Sequence, residues 1–285
     1  MPARAWSASR AGLDVSSLGY NSGMTTQGIL FIATGERYVR AAARSARSAL
    51  AHCPGLPIHL YTDPTSFDSF LGEAGFPFTS AGKIENPHAR SKVDYMSKTP
   101  YERTLFLDAD TVVNSDIREM FQILDRFDIA MTHAHHRSPS NLKPWRIPLP
   151  DAFPEFNSGV VLFRKTPAVV QFWEGLSSHF GTDWPEAGRR TGQPHHDQIL
   201  IRELLWLSDL RIATLPPEFN VRKLKYHLLW SRSEATTKIF HLKQFHMGWS
   251  HWLFRKAIHP IKFLLHVVGL DGFVASVRKI RRAKG

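Results

Sequence analysis

The chain has 285 residues, room for one large domain or two small ones, and its 43% hydrophobic content supports an ordinary buried core. A formal charge of +11 and a pI near 9.9 favour an anionic partner, for which nucleotide diphosphates, anionic lipid surfaces and nucleic acid all qualify. The single cysteine, Cys53, excludes a disulfide framework and a thiolate zinc site and makes a reducing, cytoplasmic setting the default, and no apolar run approaches the roughly 18 to 20 residues that span a bilayer.

Residues 1–27 are small, polar and rich in Gly and Ser, without the apolar stretch of a secretory signal, and are expected to form a disordered leader; Met24 offers an alternative start. Residues 28–34 (GILFIAT) predict a buried strand, and 38–51 follow with Val39, Ala42, Ala46 and Leu50 at helical spacing until Pro54 and Gly55 stop them. Residues 58–62 predict a second strand closed by Asp63-Pro64. The opening is therefore a β-α-β unit with parallel pairing, and the class is α/β. A helix is expected around 91–97, strands at 104–107 and 129–132, a long His/Pro/Ser-rich loop over 134–155, and a strand at 156–163. Helices at 167–180 and 196–207, the latter capped near Asp197, flank a second loop at 181–194. Short strands at 212–215 and 237–241 complete the domain. Beyond Trp249 apolar residues alternate with Lys, Arg and His, and 278–284 is almost wholly basic. That extension, residues 251–285, fits a helix packed across the domain, an attachment to an anionic membrane surface, or both. Nucleic acid is not expected, because no binding motif is present and the basic residues are scattered.

The chemistry is expected at residues 104–111, Thr-Leu-Phe-Leu-Asp-Ala-Asp-Thr, an apolar run that ends in two carboxylates one residue apart. Such a pair at the carboxyl end of a buried strand points into the crevice where α/β sheets bind ligands. On an extended chain Asp108 and Asp110 share one side, and two hard oxygen ligands suit a divalent cation that bridges a diphosphate. The same residues also make ordinary turns and helix caps. An apolar strand followed by DxDxT further resembles the nucleophile motif of haloacid dehalogenase-type phosphatases. Those enzymes normally carry it on the first strand and need a later acidic pair for magnesium. Here a whole β-α-β unit precedes it, and the downstream aspartates form no adjacent pair. What the chain offers instead is His241 at the end of an expected strand, an imidazole able to complete a metal shell.

Taken in order, FIATGERYV at the first strand, Lys92 in SKVDYM, LDADT, FNSGVVLF, HDQ at 196–198, PPEFNVR at 216–222 and IFHLK at 239–243 resemble a GT-A glycosyltransferase of the broad class containing glycogenin and the lipopolysaccharide galactosyltransferases, over roughly residues 28–250. The resemblance implies a mostly parallel Rossmann-like central sheet flanked by helices, a nucleotide-diphosphate sugar donor with UDP-sugars favoured, Mn²⁺ or Mg²⁺, and a glycan or glycolipid acceptor. Sugar transfer with retained anomeric configuration follows the glycogenin-like relatives, in the cytoplasm or on the inner face of a membrane. A non-catalytic sugar-nucleotide or glycan-binding protein on the same fold is the other reading.

By the same resemblance Asp108, Ala109 and Asp110 hold metal and donor, with His241 as third protein ligand. Ala33, Thr34 and Tyr38 contact the nucleotide; Tyr38 either stacks on the base or packs in the core. Lys92 holds the donor diphosphate or sugar, the alternative being an exposed helical lysine. Asn157, Ser158 and Gly159 line the sugar and acceptor side, with Gly159 permitting close backbone approach. Asp197 and Gln198 lie near the anomeric carbon, although Asp197 also suits a helix N-cap. The chain departs from the family after the metal histidine: Leu242, Lys243 and Gln244 follow where the relatives have a Gly and then a Lys that grips the leaving diphosphate. This leaves the role of Lys243 open and makes His246 a competing ligand.

Overall fold

The computed structural model describes residues 26–70, 75–88, 90–134, 146–182, 197–223 and 236–242. Residues 1–25 of the expected leader, the basic extension, His196, Lys243 and His246 lie outside the described residues; the last two leader residues are ordered, with Gln27 already in the first strand of the sheet.

A seven-stranded sheet organises the chain in the order β3-β2-β1-β4-β7-β6-β8. Its members are β1 (Gln27–Ile32), β2 (Ile58–Thr62), β3 (Ser80–Lys83), β4 (Arg103–Leu107), β6 (Ile129–His133), β7 (Phe156–Arg164) and β8 (Ile212–Thr214). Only β7 runs against the rest, pairing antiparallel with β4 and β6 on its two sides; the other pairings are parallel. The sheet is the mostly parallel one expected. A separate two-stranded ribbon joins β5 (Thr111–Val113) to β9 (Ile239–His241) in antiparallel register, with Thr111 opposite His241.

Both faces of the central strands are covered, so β1, β4 and β7 are near-continuous buried runs. Ile29 and Phe31 of β1 enter one core with Val39, Ala42, Ala46 and Ala49 of α1 (Glu36–His52) and with Met120, Phe121 and Leu124 from the 3-10 turn at Arg118–Asp125. Leu30 enters the opposite core with Val93 of α3 (Lys92–Tyr95), Trp173 and Leu176 of α4 (Pro167–Thr182), and Leu200, Ile201 and Leu205 of α5 (Asp197–Leu207).

The first helix begins two residues earlier than its apolar spacing predicts, at Glu36. Gly35 makes the turn out of β1 at a φ of +83°, a conformation that costs a β-substituted residue energy. Its N–H donates to Asp63 Oδ2 at 2.6 Å, so the end of β2 clamps the end of β1. Burial would raise the Asp63 pKa, but the N–H groups of Gly35 and Ser66 outweigh it and hold the carboxyl below its usual value. Strand β3, the short α2 (Pro64–Phe70) and β5 are absent from the sequence prediction. Ser-Ala-Gly-Lys and Thr-Val-Val are too short and too little patterned to read as strands until partners exist to pair them. No helix among the described residues is long and apolar enough to cross a membrane.

Candidate active site

Strand β4 ends at Leu107, and the three residues after it turn rather than remain extended: Thr111 N–H and Oγ1 both donate to the Asp108 carbonyl, at 3.1 and 2.8 Å. The expectation that Asp108 and Asp110 share one side of an extended strand is therefore corrected. They converge because the chain folds back into β5, and β5 recruits β9. Pairing of Thr111 with His241, together with Leu242 N–H donating to the Asp110 carbonyl at 3.1 Å, sets the imidazole beside both carboxylates. His241 Nε2 lies 3.6 Å from Asp108 Oδ2 and 3.2 Å from Asp110 Oδ1. One ligand atom from each residue falls within 4.8 Å of the other two.

Two carboxylate oxygens and one imidazole nitrogen form a donor set able to hold a divalent metal ion. The space around it is tight: a β-carbon on Gly159 would lie 2.0 Å from His241 Cε1 and 2.9 Å from Asp108 Oδ2. The close approach anticipated for Gly159 is thus an approach by the imidazole and the first carboxylate. These residues fit a cation.

A cavity of about 480 Å³ opens beside this group. It is lined by Ala33 and Thr34 from the β1–α1 turn, Tyr38 in the first turn of α1, Lys92 at the start of α3, Asp108, Ala109 and Asp110, Asn157 and Ser158 from β7, Asp197 and Gln198 from α5, and His241. Nearly every residue singled out in the sequence thus meets at one place, although they span more than two hundred positions. Tyr38 is 46% exposed, so it is not a core residue.

Lys92 is not the exposed lysine of the alternative reading either: only 11% of its side chain is accessible. Its ammonium donates to Ser158 Oγ at 2.9 Å and lies 3.0 Å from Asp197 Oδ2 and 3.4 Å from Asp108 Oδ1. Burial would pull its pKa down, but Asp108 and Asp197 outweigh that and hold it above the ordinary lysine value. Asp197, 1% exposed at the start of α5, also lies 3.6 Å from Arg90, so it is an ion-pair partner inside the cavity. Gln198 is oriented by donating through Nε2 to the Phe156 carbonyl at 2.7 Å.

The sequence reading did not single out Arg90, His88 and Arg222, which also line the cavity, or Asn220. Asn220 has no exposed surface; its Oδ1 lies 2.9 Å from His241 Nδ1, and its Nδ2 donates to Thr132 Oγ1 and Asn157 Oδ1, each at 2.9 Å. PPEFNVR contains it, but a lone Asn after Pro-Pro reads as turn chemistry. The described end of the 134–155 loop is anchored rather than free-standing. Arg146 pairs with Glu203 of α5 at 2.9 Å, and Arg202 donates to the carbonyls of Pro150 and Phe153.

No protein-family model and no curated protein matches the sequence. Solved structures do match in shape. The galactosyltransferase LgtC, in complex with donor and acceptor sugar analogues, aligns over 76% of this chain and 87% of its own at 14% identity, with a TM-score of 0.55. The bifunctional glycosyltransferase WbbM aligns over 76% of this chain and 46% of its own at 14% identity and a TM-score of 0.53. The glycosyltransferase GlyE of Streptococcus pneumoniae aligns over 75% and 54% at 16% identity and a TM-score of 0.50. The chain spans about half the length of the last two. Shape agreement at such identities concerns the fold, and the fold of this chain is that of the GT-A glycosyltransferases.

Proposed function

We propose that the chain is a metal-dependent glycosyltransferase that moves a sugar from a nucleotide-diphosphate donor, with UDP-sugars favoured, to a hydroxyl of a glycan or glycolipid, retaining the anomeric configuration. One observation carries the reading: the Asp108, Asp110 and His241 donor group opens into the same cavity as the buried Lys92–Asp197 pair. A cation site beside a fixed ammonium suits a diphosphate, and a buried anion a few ångströms further suits the sugar.

The reaction breaks the bond between the anomeric carbon and the β-phosphate oxygen and forms one to the acceptor oxygen, whose hydroxyl proton passes to the departing diphosphate. Mn²⁺ or Mg²⁺ bound by Asp108, Asp110 and His241 would supply positive charge against the departing diphosphate. Lys92, held at the cavity by Ser158 and Asp197, would set its positive charge beside the same oxygens. Asp197 is held by Lys92 and Arg90, so it offers negative charge to an oxocarbenium-like sugar rather than a vacant base. Gln198, Asn157 and Ser158 would line the sugar and acceptor side. Tyr38, with Ala33 and Thr34, would take the base, its exposed ring providing a stacking face. Lys243 would follow His241 as a further grip on the diphosphate. The basic residues 251–285 are proposed to attach the enzyme to an anionic inner membrane face; deletion of 273–285 should weaken binding to anionic vesicles, and unchanged binding discards that role.

The deciding experiment incubates the protein with a panel of nucleotide sugars and Mn²⁺ and measures release of nucleotide diphosphate. Turnover with at least one donor, abolished by a chelator, is the expected result. Nucleotide binding without turnover on any donor and acceptor would instead leave a sugar-nucleotide-binding protein, and phosphate release from simple monoesters would point to the phosphatase chemistry of DxDxT.

A further inference from the structure

We propose that Asn220 is a positioning residue that fixes His241 as its Nδ1–H tautomer, so that Nε2 presents a lone pair to the space shared with Asp108 and Asp110. The importance of this for metal binding rests on the proposed metal-dependent reading; the tautomer itself does not.

The argument starts at a group that can only donate. The backbone N–H of Gly159 donates to the side chain of Asn157 at 3.2 Å, which makes that corner of the Asn157 amide its oxygen. The same oxygen lies 2.9 Å from Asn220, so the corner of Asn220 facing it is the NH₂ group. That group also meets Thr132 Oγ1 at 2.9 Å, which gives both of its protons an acceptor. The remaining corner of Asn220 is then its carbonyl oxygen, and it lies 2.9 Å from His241 Nδ1. A carbonyl oxygen accepts only, so Nδ1 carries the proton. A neutral imidazole has one N–H, which leaves a lone pair on Nε2, the nitrogen 3.2 Å from Asp110 Oδ1 and 3.6 Å from Asp108 Oδ2.

Burial enforces the relay. Asn220 is fully buried, Thr132 is 1% exposed and Asn157 is 3% exposed, so bulk water does not compensate a flipped amide. A flip would set oxygen against oxygen at Asn157, whichever tautomer the imidazole takes, and would leave that buried acceptor without one of its donors, which is costly. The chain of orientation therefore runs from a backbone amide of β7 through two asparagines to the ring. It places three lone-pair donors, two carboxylates and one imidazole, around one point, an arrangement that suits a cation. Outer partners of this kind set ring orientation and ligand basicity at metal sites.

The test uses metal-free protein with ¹⁵N-labelled histidine at a pH where the ring is neutral. Long-range ¹H–¹⁵N correlation spectra report which ring nitrogen is protonated, and His241 is assigned by the signal lost in His241→Gln. The expected wild-type spectrum has a protonated Nδ1 and an unprotonated Nε2. In Asn220→Ala the expected spectrum is a mixture of tautomers, and Mn²⁺ affinity falls by about 10- to 100-fold. A protonated Nε2 in the wild type overturns the proposal and needs no variant to fold. An Asn220→Ala spectrum and Mn²⁺ affinity both equal to wild type also overturn it. Should the wild type bind neither Mn²⁺ nor Mg²⁺, the metal reading falls, while the wild-type spectrum still judges Asn220.

Discussion

The imidazole of His241 occupies the place a side chain on residue 159 would need: an added β-carbon on Gly159 lies 2.0 Å from its Cε1. Strand β7 can pass beneath the β5–β9 ribbon at this spacing only because one position lacks a side chain. Gly159→Ala must therefore displace the ring, the Asp108 carboxylate or the strand. Donor turnover is expected to fall by about 100-fold or more, since roughly 1 Å of misplacement has that effect. Overpacking is expected to cost about 1–3 kcal/mol of stability. Steady-state kinetics and denaturant melts on the same preparation check both, and a fully active Gly159→Ala would remove the crowding argument.

Lys92 lies between the Asp108 and Asp197 carboxylates, nearer to Asp197, with little access to water. Replacing it by Met leaves those charges without their shared cation, and breaking a buried pair from one side costs about 3–5 kcal/mol. Removing one charge as well should recover part of that loss, so Lys92→Met/Asp197→Asn is expected to melt above Lys92→Met. Both variants should lose donor turnover. Equal melting of the two would show that Asp197 does not depend on Lys92 for neutralisation.

Tyr38 sits at the cavity with nearly half of its surface exposed and no place in either core. Tyr38→Ala is expected to leave the melting temperature unchanged and to raise donor KM by about 10-fold, the scale of one lost base–aromatic stack of about 1–3 kcal/mol. Tyr38→Phe should keep wild-type KM, because the ring face rather than the hydroxyl makes the contact. An unchanged KM in Tyr38→Ala would place the base elsewhere.

Asp128, at the edge of β6, ties three segments together. It accepts from Arg164 at the end of β7, and from the Arg211 backbone N–H at 2.8 Å and the Arg211 guanidinium at 3.2 Å just before β8. Burial would raise its pKa, but Arg211 and Arg164 outweigh that and bring it to about 2. A carboxyl depressed in the folded state stabilises the protein above the unfolded value near 4, and that contribution disappears as pH falls through about 2. Asp128→Asn is expected to lose about 2 kcal/mol at pH 7 and progressively less between pH 4 and pH 2, measured by urea unfolding across that range. A pH-independent difference would assign the loss to packing rather than charge.

Several elements were legible because burial on both faces writes itself into the sequence as apolar runs. Residues 28–34, 58–62, 104–107, 129–132 and 156–163 all became sheet strands close to the predicted limits. Asp108, Asp110 and His241 were legible as candidate metal ligands at the ends of apolar runs, whereas Lys92 and Asp197 were singled out only through the resemblance to a glycosyltransferase family. Asn220 was not, because an amide among Pro, Phe and Val has no local signature of its partners. Those partners, Thr132, Asn157 and His241, lie 88, 63 and 21 positions away.

Sequence alone, then, determined the α/β class and the candidate donor atoms, through apolar patterning and residue chemistry that depend only on near neighbours. Tertiary structure decided that Asp108 and Asp110 converge through a turn rather than along a strand. It decided that Lys92 is buried against Asp197, and that His241 is aimed by Asn220 past the bare α-carbon of Gly159. The placing of His241 follows from the pairing of β5 with β9, and that of Lys92 from its ion pair with a helix start, each across more than a hundred residues, and no local pattern encodes contacts between segments so far apart.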